Sequence, residues 1–267
     1  MKKKMRKMWI IMAMVVLAIT MAGSGASAAG TQTAAQAKTA TVKNGWVKKG
    51  KKTYYYKKGK PVTGWRTIDK KKYYFNTSGK QKGQMVTGWK VLKKNYYYFN
   101  EDGSLNTKKS INSSRKSDKT GSAKEKTYRR AKAIVEMITT PKMTKGQKLK
   151  ACFNYVMKYK GRRPRTPHYM KTDWPVVYAN DMFLDGSGNC FSYAAAFGYL
   201  AKACGYKNVY CCSDTGHGWT EIGGKIYDPE EYRNTRYKYY NTSYSQVPGY
   251  RRGIAAQKKY PFMHVKL

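Results

Sequence analysis

Between Gly45 and Asn106 the chain repeats itself, and this period constrains the fold more than any other feature of its 267 residues. "GWVKKGKKTYYYKKGKPVTGW" (Gly45–Trp65) is followed by "GWRTIDKKKYYFNTSGKQKGQMVTGW" (Gly64–Trp89) and "GWKVLKKNYYYFNEDGSLN" (Gly88–Asn106). Each unit sets a Gly-Trp pair ahead of an aromatic triplet and then reaches a glycine at Gly59, Gly79 or Gly103. Aromatic runs bounded by glycine predict short hairpins, and the fixed spacing predicts stacked units. A single unit cannot bury its aromatic face alone, so the rings must pack on a neighbouring unit or on a ligand.

The units resemble the cell-wall-binding repeats of the choline-binding and glucan-binding families in their "TGW" joints and Tyr-rich strands. That resemblance implies a wall ligand held on aromatic faces, with Trp46, Tyr55, Trp65, Tyr74, Trp89 and Tyr98 as candidate binding residues. In the choline-binding version a second tryptophan precedes the tyrosines and completes a cage for a quaternary ammonium by cation–π attraction. Here Thr53, Lys72 and Tyr96 stand at those positions. Residues 43–108 also carry 18 Lys and Arg against three acids. An anionic glycan, teichoic acid or peptidoglycan is therefore the expected partner, and elution by choline is expected to fail. The plainer alternative is that the tryptophans form only the stack between hairpins.

Charge over the whole chain points the same way. Fifty-four Lys and Arg against 14 Asp and Glu give a formal net charge of +40, which is a statement about partners and solubility and not about fold. "MKKKMRK" followed by the apolar run Met8–Ala22 and the small residues Ala26–Ala28 reads as a cleaved signal peptide over 1–28, because that run is shorter than a membrane span requires. The expected address is a Gram-positive-type bacterial surface, with the protein secreted and wall-associated. Nucleic acid is not expected as a partner, nor is a membrane span after cleavage.

After a linker at 29–42 and the repeats at 43–106, residues 107–126 are almost free of apolar side chains and read as a second, solvated linker. The domain expected over 127–267 opens with helical spacing at Ala131, Ile134, Val135 and Ile138, stopped by Pro141. Thr144 with Gln147 forms a capping-box pattern ahead of Leu149, Cys152, Phe153 and Val156, a face that makes Cys152 a core residue. A third helix starts at Cys190 and ends at Cys204, with Gly205 in position for a left-handed cap. "NVYCC", "HGWTEI" and "KIYDPE" follow as strands, so helices precede an antiparallel sheet in an α+β order.

Cys190 is the residue of this domain with the most chemistry in its position. It opens a helix after "GSGN", where free backbone N–H groups and the positive end of the helix dipole favour a thiolate. Of the three histidines, His168 sits in a Pro-flanked basic loop and His264 near the C-terminus, while His217 begins a strand. If Gly223-Gly224 is a two-residue hairpin turn, Ile222 faces Lys225 and Trp219 faces Asp228, which sets His217 and Asp228 on one sheet face. A thiol, an imidazole to take its proton and a carboxylate to orient the imidazole make a Cys190, His217, Asp228 triad. A satisfied strand histidine and a turn-forming aspartate before Pro229 are the bland reading of the same residues.

A glycine-preceded cysteine opening an Ala-rich helix, then "GHGW", then "IYDP", resembles the transglutaminase-like domain, a relative of the papain-like fold. The resemblance spans about residues 127–240. It implies Cys190 as nucleophile, His217 as general base and acid, and Asp228 as orienter. It also implies an oxyanion donor upstream, for which Trp174 and Asn180 are candidates beside the backbone N–H of Cys190. No cofactor and no metal is expected. A site built from Cys204, Cys211, Cys212 and His217 has poor spacing, because Cys211 and Cys212 must point to opposite faces; a disulfide from Cys204 or Cys152 to one of that pair is a further alternative. The reaction expected is thiol acyl transfer on a carboxamide or peptide bond of a protein or peptide substrate, giving a cross-link or deamidation. A cysteine peptidase on the same fold, or a wall-binding protein whose second domain is inert, are the alternatives.

Overall fold

The computed structural model describes residues 44–112, 121–161, 171–214, 216–235, 239–247, 249–250 and 262–267. The expected signal peptide (1–28), the segment 29–42 and His168 lie outside them. The chain divides into two compact units, 1–41 and 42–267, and the described residues all belong to the second. Among the described residues no helix is long and apolar enough to cross a membrane.

Three hairpins carry the repeats. β1 (Asn44–Lys49) pairs with β2 (Lys52–Lys57), which also pairs with the short β3 (Lys60–Pro61); β4 (Gly64–Ile68) pairs with β5 (Lys71–Phe75). β6 (Gly88–Leu92) pairs with β7 (Asn95–Phe99), and β7 with β8 (Leu105–Ile111). The register is the same each time: Trp46 stands opposite Tyr55, Trp65 opposite Tyr74 and Trp89 opposite Tyr98. The tight turns of the second and third hairpins fall on Asp69-Lys70 and Lys93-Lys94, all four at positive φ between 47° and 64°, while in the first unit Gly50 and Gly59 take the turns before and after β2, at φ 57° and 73°.

Of the linker expected over 107–126, residues 113–120 lie outside the described ones, and both ends that are described are structured. β8 continues to Ile111, beyond the boundary expected at residue 106, and the next helix already begins at Ala123. Tyr96 and Ile111 are buried in the same hydrophobic cluster as Ala131, Ile134 and Phe153. The Tyr96 hydroxyl donates to the Phe183 carbonyl at 2.5 Å, and Lys94 pairs with Asp185. The repeat boundary expected at residue 106 is therefore corrected, because the third repeat shares a core with the second domain: an aromatic where the other repeats have Thr53 and Lys72 gives it a face to bury.

The second domain is a mixed α/β assembly around one helix. α1 (Ala123–Ile138) is capped by the Ser122 hydroxyl, and α2 (Lys145–Val156) by the full Thr144–Gln147 capping box. β9 (Lys160–Gly161) runs parallel to β10 (Ser187–Gly188); between them lie α3 (Trp174–Asn180) and a π-turn over Asp181–Asp185. α4 (Cys190–Ala203) follows, buried on nearly every side from Phe191 to Ala201. Its small residues let the sheet come close: a Cβ on Gly198 would stand 2.9 Å from the Cys211 sulfur, and Thr220 reaches the Ala194 carbonyl at 2.7 Å.

That sheet is antiparallel throughout, in the order β14 (Tyr240–Thr242), β13 (Lys225–Tyr227), β12 (Gly218–Ile222), β11 (Val209–Ser213), β15 (Met263–Lys266). α5 (Pro229–Thr235) lies between β13 and β14 in sequence. The two faces of the sheet have separate cores. Cys211 packs with α4 on one face, while Cys212, Trp219, Ile226 and Val247 form a second cluster on the other.

Burial of Tyr96 yields a test of the shared core. Tyr96→Ala is expected to lower the stability of the cysteine-bearing domain by about 3–5 kcal/mol, as for other buried aromatics cut to alanine. Urea unfolding followed by a probe in that domain checks it; an unchanged midpoint would mean that the third repeat only touches its neighbour.

Candidate functional site

Among the described residues, the side chains singled out in the sequence gather at two places. The first is the start of α4. Gly188 has to be glycine because a Cβ there would lie 2.3 Å from the Ser192 Cβ in the helix's first turn, and the Asn189 side chain caps that turn through the Ser192 N–H. Cys190 is thereby fixed at the first helical position, half-buried, where backbone N–H groups lack partners within the helix. Its sulfur lies 3.9 Å from the Gly216 carbonyl.

His217 arrives from the sheet. Gly223 and Gly224 adopt φ values of 57° and 75°, and Ile222 pairs with Lys225, Glu221 with Ile226 and Thr220 with Tyr227, the register that a Gly-Gly turn dictates. The loop ahead of His217 is tied down by Asp214, whose carboxylate accepts from the Gly216 and His217 N–H groups at 2.8 and 2.5 Å. Nε2 of His217 then meets Oδ2 of Asp228 at 2.5 Å. The Cys190 sulfur, a His217 ring nitrogen and a Glu230 carboxylate oxygen lie within 4.8 Å of one another. The structure thus brings Cys190, His217 and Asp228 together, the thiol near the imidazole and the imidazole on the carboxylate.

Asp228 is wholly buried and fully engaged. Oδ1 accepts from the N–H groups of Glu230 and Glu231, both at 3.0 Å, and so caps α5, whose first residue is Pro229. Oδ2 accepts from the Tyr250 hydroxyl at 2.6 Å as well as facing His217. One oxygen of this aspartate therefore caps α5, and the other faces the imidazole. Burial and the nearby Asp228 charge push the Tyr250 phenol far up, so it remains a donor.

Burial alone would lower the pKa of His217. The charge and hydrogen bond of Asp228, with a smaller contribution from Cys190, outweigh it and push the imidazole up to about 11. Burial raises the Glu230 carboxyl above the ordinary glutamate value.

Of the two upstream oxyanion candidates, Asn180 is engaged elsewhere, while the buried Trp174 indole N–H has no hydrogen-bond partner among the described residues. Asn180 spends its amide on Thr127 at 2.8 Å and the Val176 carbonyl at 2.9 Å, and its oxygen accepts from Arg130 at 2.9 Å, so it ties α3 to α1. Trp174 is buried against Phe191, the residue after Cys190, with ring centroids 5.8 Å apart. Tyr250 and Glu230 were not singled out in the sequence; "GY" in a basic tail carries no signal for the one, and only nearness to Asp228 could have suggested the other. The four-ligand set of Cys204, Cys211, Cys212 and His217 is not assembled, since Cys211 and Cys212 point into different cores and Cys204 sits beside Cys152. The same arrangement overturns a bond from Cys152 or Cys204 to Cys211 or Cys212.

The second place is the aromatic face of the repeats. Trp46 packs edge-on against Tyr55 of its own hairpin at 5.0 Å and Tyr73 of the next at 5.1 Å; Trp65 meets Tyr74 at 5.3 Å and Tyr97 at 4.9 Å in the same way. Both tryptophans remain open, at 42% and 38% exposure. Beside Trp65 and Tyr97 lies a groove of about 440 Å³ that Arg66, Thr67, Lys72 and Leu105 complete. The third pair, Trp89 and Tyr98, is 5.2 Å apart and already has a cation: Lys109 Nζ stands 3.8 Å over Tyr98 and 5.6 Å from Trp89. Glu136 of α1 accepts from both Lys109 and the Trp89 indole at 2.8 Å.

Residues 62–109 match the choline-binding repeat family. Among solved structures, the chain is similar to CbpJ from Streptococcus pneumoniae TIGR4, at 34% identity over 24% of this chain and 22% of that one, with a TM-score of 0.22. It is similar to choline binding protein F from Streptococcus pneumoniae, crystallised with a peptidoglycan analogue, at 37% identity over 24% and 21% of the two chains and a TM-score of 0.22. The endolysin from phage Cp-1 complexed with choline matches at 33% identity over 24% and 18%, again with a TM-score of 0.22. The matched part spans about a fifth of the length of these relatives. No curated protein sequence matches the chain.

A raised His217 pKa sets a pH window for stability. The contribution of the protonated His217–Asp228 pair is fully present below the ordinary histidine value of 6.5 and is lost as pH rises through about 11. The stability gap between the wild-type chain and His217→Gln, measured by urea unfolding, is expected to be widest at the acid end of that window and to shrink steadily toward its alkaline end. A gap that widens with pH would mean that the imidazole is neutral in the fold.

Proposed function

We propose that this protein holds to a Gram-positive cell wall through its repeats. The observation that carries the reading is the match of residues 62–109 to choline-binding repeats, supported by two open aromatic clusters at the junctions between hairpins. The ligand suited to both the rings and the lysines is a phosphocholine-bearing teichoic acid. Its quaternary ammonium would rest on Trp46 with Tyr73, or on Trp65 with Tyr97, by cation–π attraction. Its phosphate would pair with Arg66 and with Lys72, the latter standing where a second tryptophan would otherwise complete the cage. The third aromatic pair, filled by Lys109, would take no ligand.

The full chain without residues 1–28 is expected to sediment with purified choline-bearing walls at low salt and to be released as salt rises. Phosphocholine is expected to elute it where choline alone does not, and Trp65→Ala to weaken binding roughly tenfold, or about 1.4 kcal/mol. A chain that ignores such walls at low salt would refute the wall-binding reading.

A second reading is favoured by the Cys190, His217 and Asp228 geometry: the domain that follows is a thiol acyl-transfer enzyme of the transglutaminase-like, papain-like kind. The Cys190 thiolate would attack a carboxamide carbonyl, with the oxyanion facing the first-turn N–H of α4. A protonated His217, steadied by Asp228, would give its proton to the departing ammonia and leave a thioester on Cys190. An incoming amine would then yield a cross-link, and water a deamidated or cleaved product. Peptidase action on the same site is the alternative outcome. A wall-held enzyme would act on substrates confined with it, which raises their effective concentration.

Ammonia release from a glutamine peptide, measured with and without added amine, separates these outcomes. Cys190→Ala is expected to abolish turnover and Asp228→Asn to lower it by a factor of about 10² or more, while wall sedimentation stays unchanged. Turnover surviving in Cys190→Ala would exclude the thiol mechanism.

A further inference from the structure

Two cysteines outside the candidate active site face each other. Cys152, in the last turn of α2 and wholly buried, and Cys204, the partly exposed residue that caps the end of α4, hold their sulfurs 3.6 Å apart. The other three thiols are placed elsewhere: Cys211 and Cys212 on opposite faces of β11, and Cys190 at the opposite end of α4 from Cys204. A disulfide needs its sulfurs at about 2.05 Å, so closing this pair requires a movement of roughly 1.5 Å. Cys204 stands at a helix terminus followed by Gly205 at φ 89°, where such a movement is easiest to absorb.

The geometry points to Cys152 and Cys204 as a dithiol that closes into a disulfide between α2 and the end of α4, with Cys204 as the attacking sulfur and Cys152 as the resolving one. Exposure sets the order, because only Cys204 can meet an oxidant from outside. Its hydrogen bond from Cys152 and the charges of Lys148 and Lys145 also hold it below the ordinary thiol range despite partial burial, while Cys152 is held well above that range. Lys145 is anchored next to it by a 2.9 Å bond to the Gly205 carbonyl.

The oxidant is another disulfide, either a small one such as oxidised glutathione or the exposed bond of a thiol oxidase. The Cys204 thiolate attacks one of its sulfurs, forms a mixed disulfide and releases the other sulfur as a thiolate. Cys152 then loses its proton, attacks Cys204, closes the Cys152–Cys204 bond and releases the second thiolate. The chain loses two protons and two electrons, and the oxidant becomes two thiols. The closed form is the one expected outside the cytoplasm. It would staple the far end of the helix that positions Cys190 and leave Cys190 itself a free thiol, so the inference stands independently of any catalytic reading.

The fully reduced chain is treated with oxidised glutathione, quenched by acid and mapped by mass spectrometry without reduction. The expected result is one cross-linked pair of peptides containing Cys152 and Cys204, a mass lower by two hydrogens from that pair, and a higher melting temperature lost again on reduction. Cys152→Ser should stop the reaction at a glutathione adduct on Cys204, which shows the order of attack even if the variant is less stable. Recovery of Cys152 and Cys204 as separate, unlinked peptides from the wild-type chain, or a link from either to Cys211 or Cys212, would overturn the assignment.

Discussion

The second domain is organised around one carboxylate that has left water. Burying an ionised aspartate is costly unless its charge is met by donors on every side. Asp228 meets that demand with the N–H groups of Glu230 and Glu231, the Tyr250 hydroxyl and the His217 ring. Those four donors come from the start of α5, from the residues after β14 and from the loop ahead of β12, so a single side chain fixes the relation of three separate pieces of backbone. The same satisfaction explains why the imidazole beside Cys190 has one orientation. With Nε2 committed to Asp228, Nδ1 is the ring nitrogen left for the thiol.

Much of this could be read from local sequence. The Gly-Gly turn dictates its pairing, because two residues at positive φ fix a two-residue hairpin loop, and period-two alternation then places His217 with respect to Asp228. The Thr144–Gln147 box and the small residues before Cys190 announce helix starts for reasons contained within a few bonds. Repeats behave likewise: Trp-to-Tyr pairing recurs because each hairpin repeats the same local spacing.

What stayed hidden depended on partners far away in the chain. Tyr96 looks like one more repeat tyrosine until α1 and the Asp181–Asp185 turn supply the surface that buries it. Asn180 offers an amide that sequence cannot distinguish from a catalytic donor, and only the presence of Thr127 and Arg130 shows it to be occupied. Helical spacing correctly marks Cys152 as a core residue, yet its neighbour Cys204 lies on another helix whose crossing no local pattern encodes. Tyr250 is the strongest instance, since it reaches Asp228 from a Gly-Tyr pair with no periodicity around it.

Lys109 has a mechanical consequence. Its ammonium sits on the last aromatic pair and shares Glu136 with Trp89, so the end of the repeat stack is clasped to α1. Tension applied at the hairpins would therefore load α1, and through the common core α4, from the first ångström of extension. A chain pulled at its repeats would pass the force straight into the helix that begins at Cys190, with no compliant element among the described residues to absorb it first.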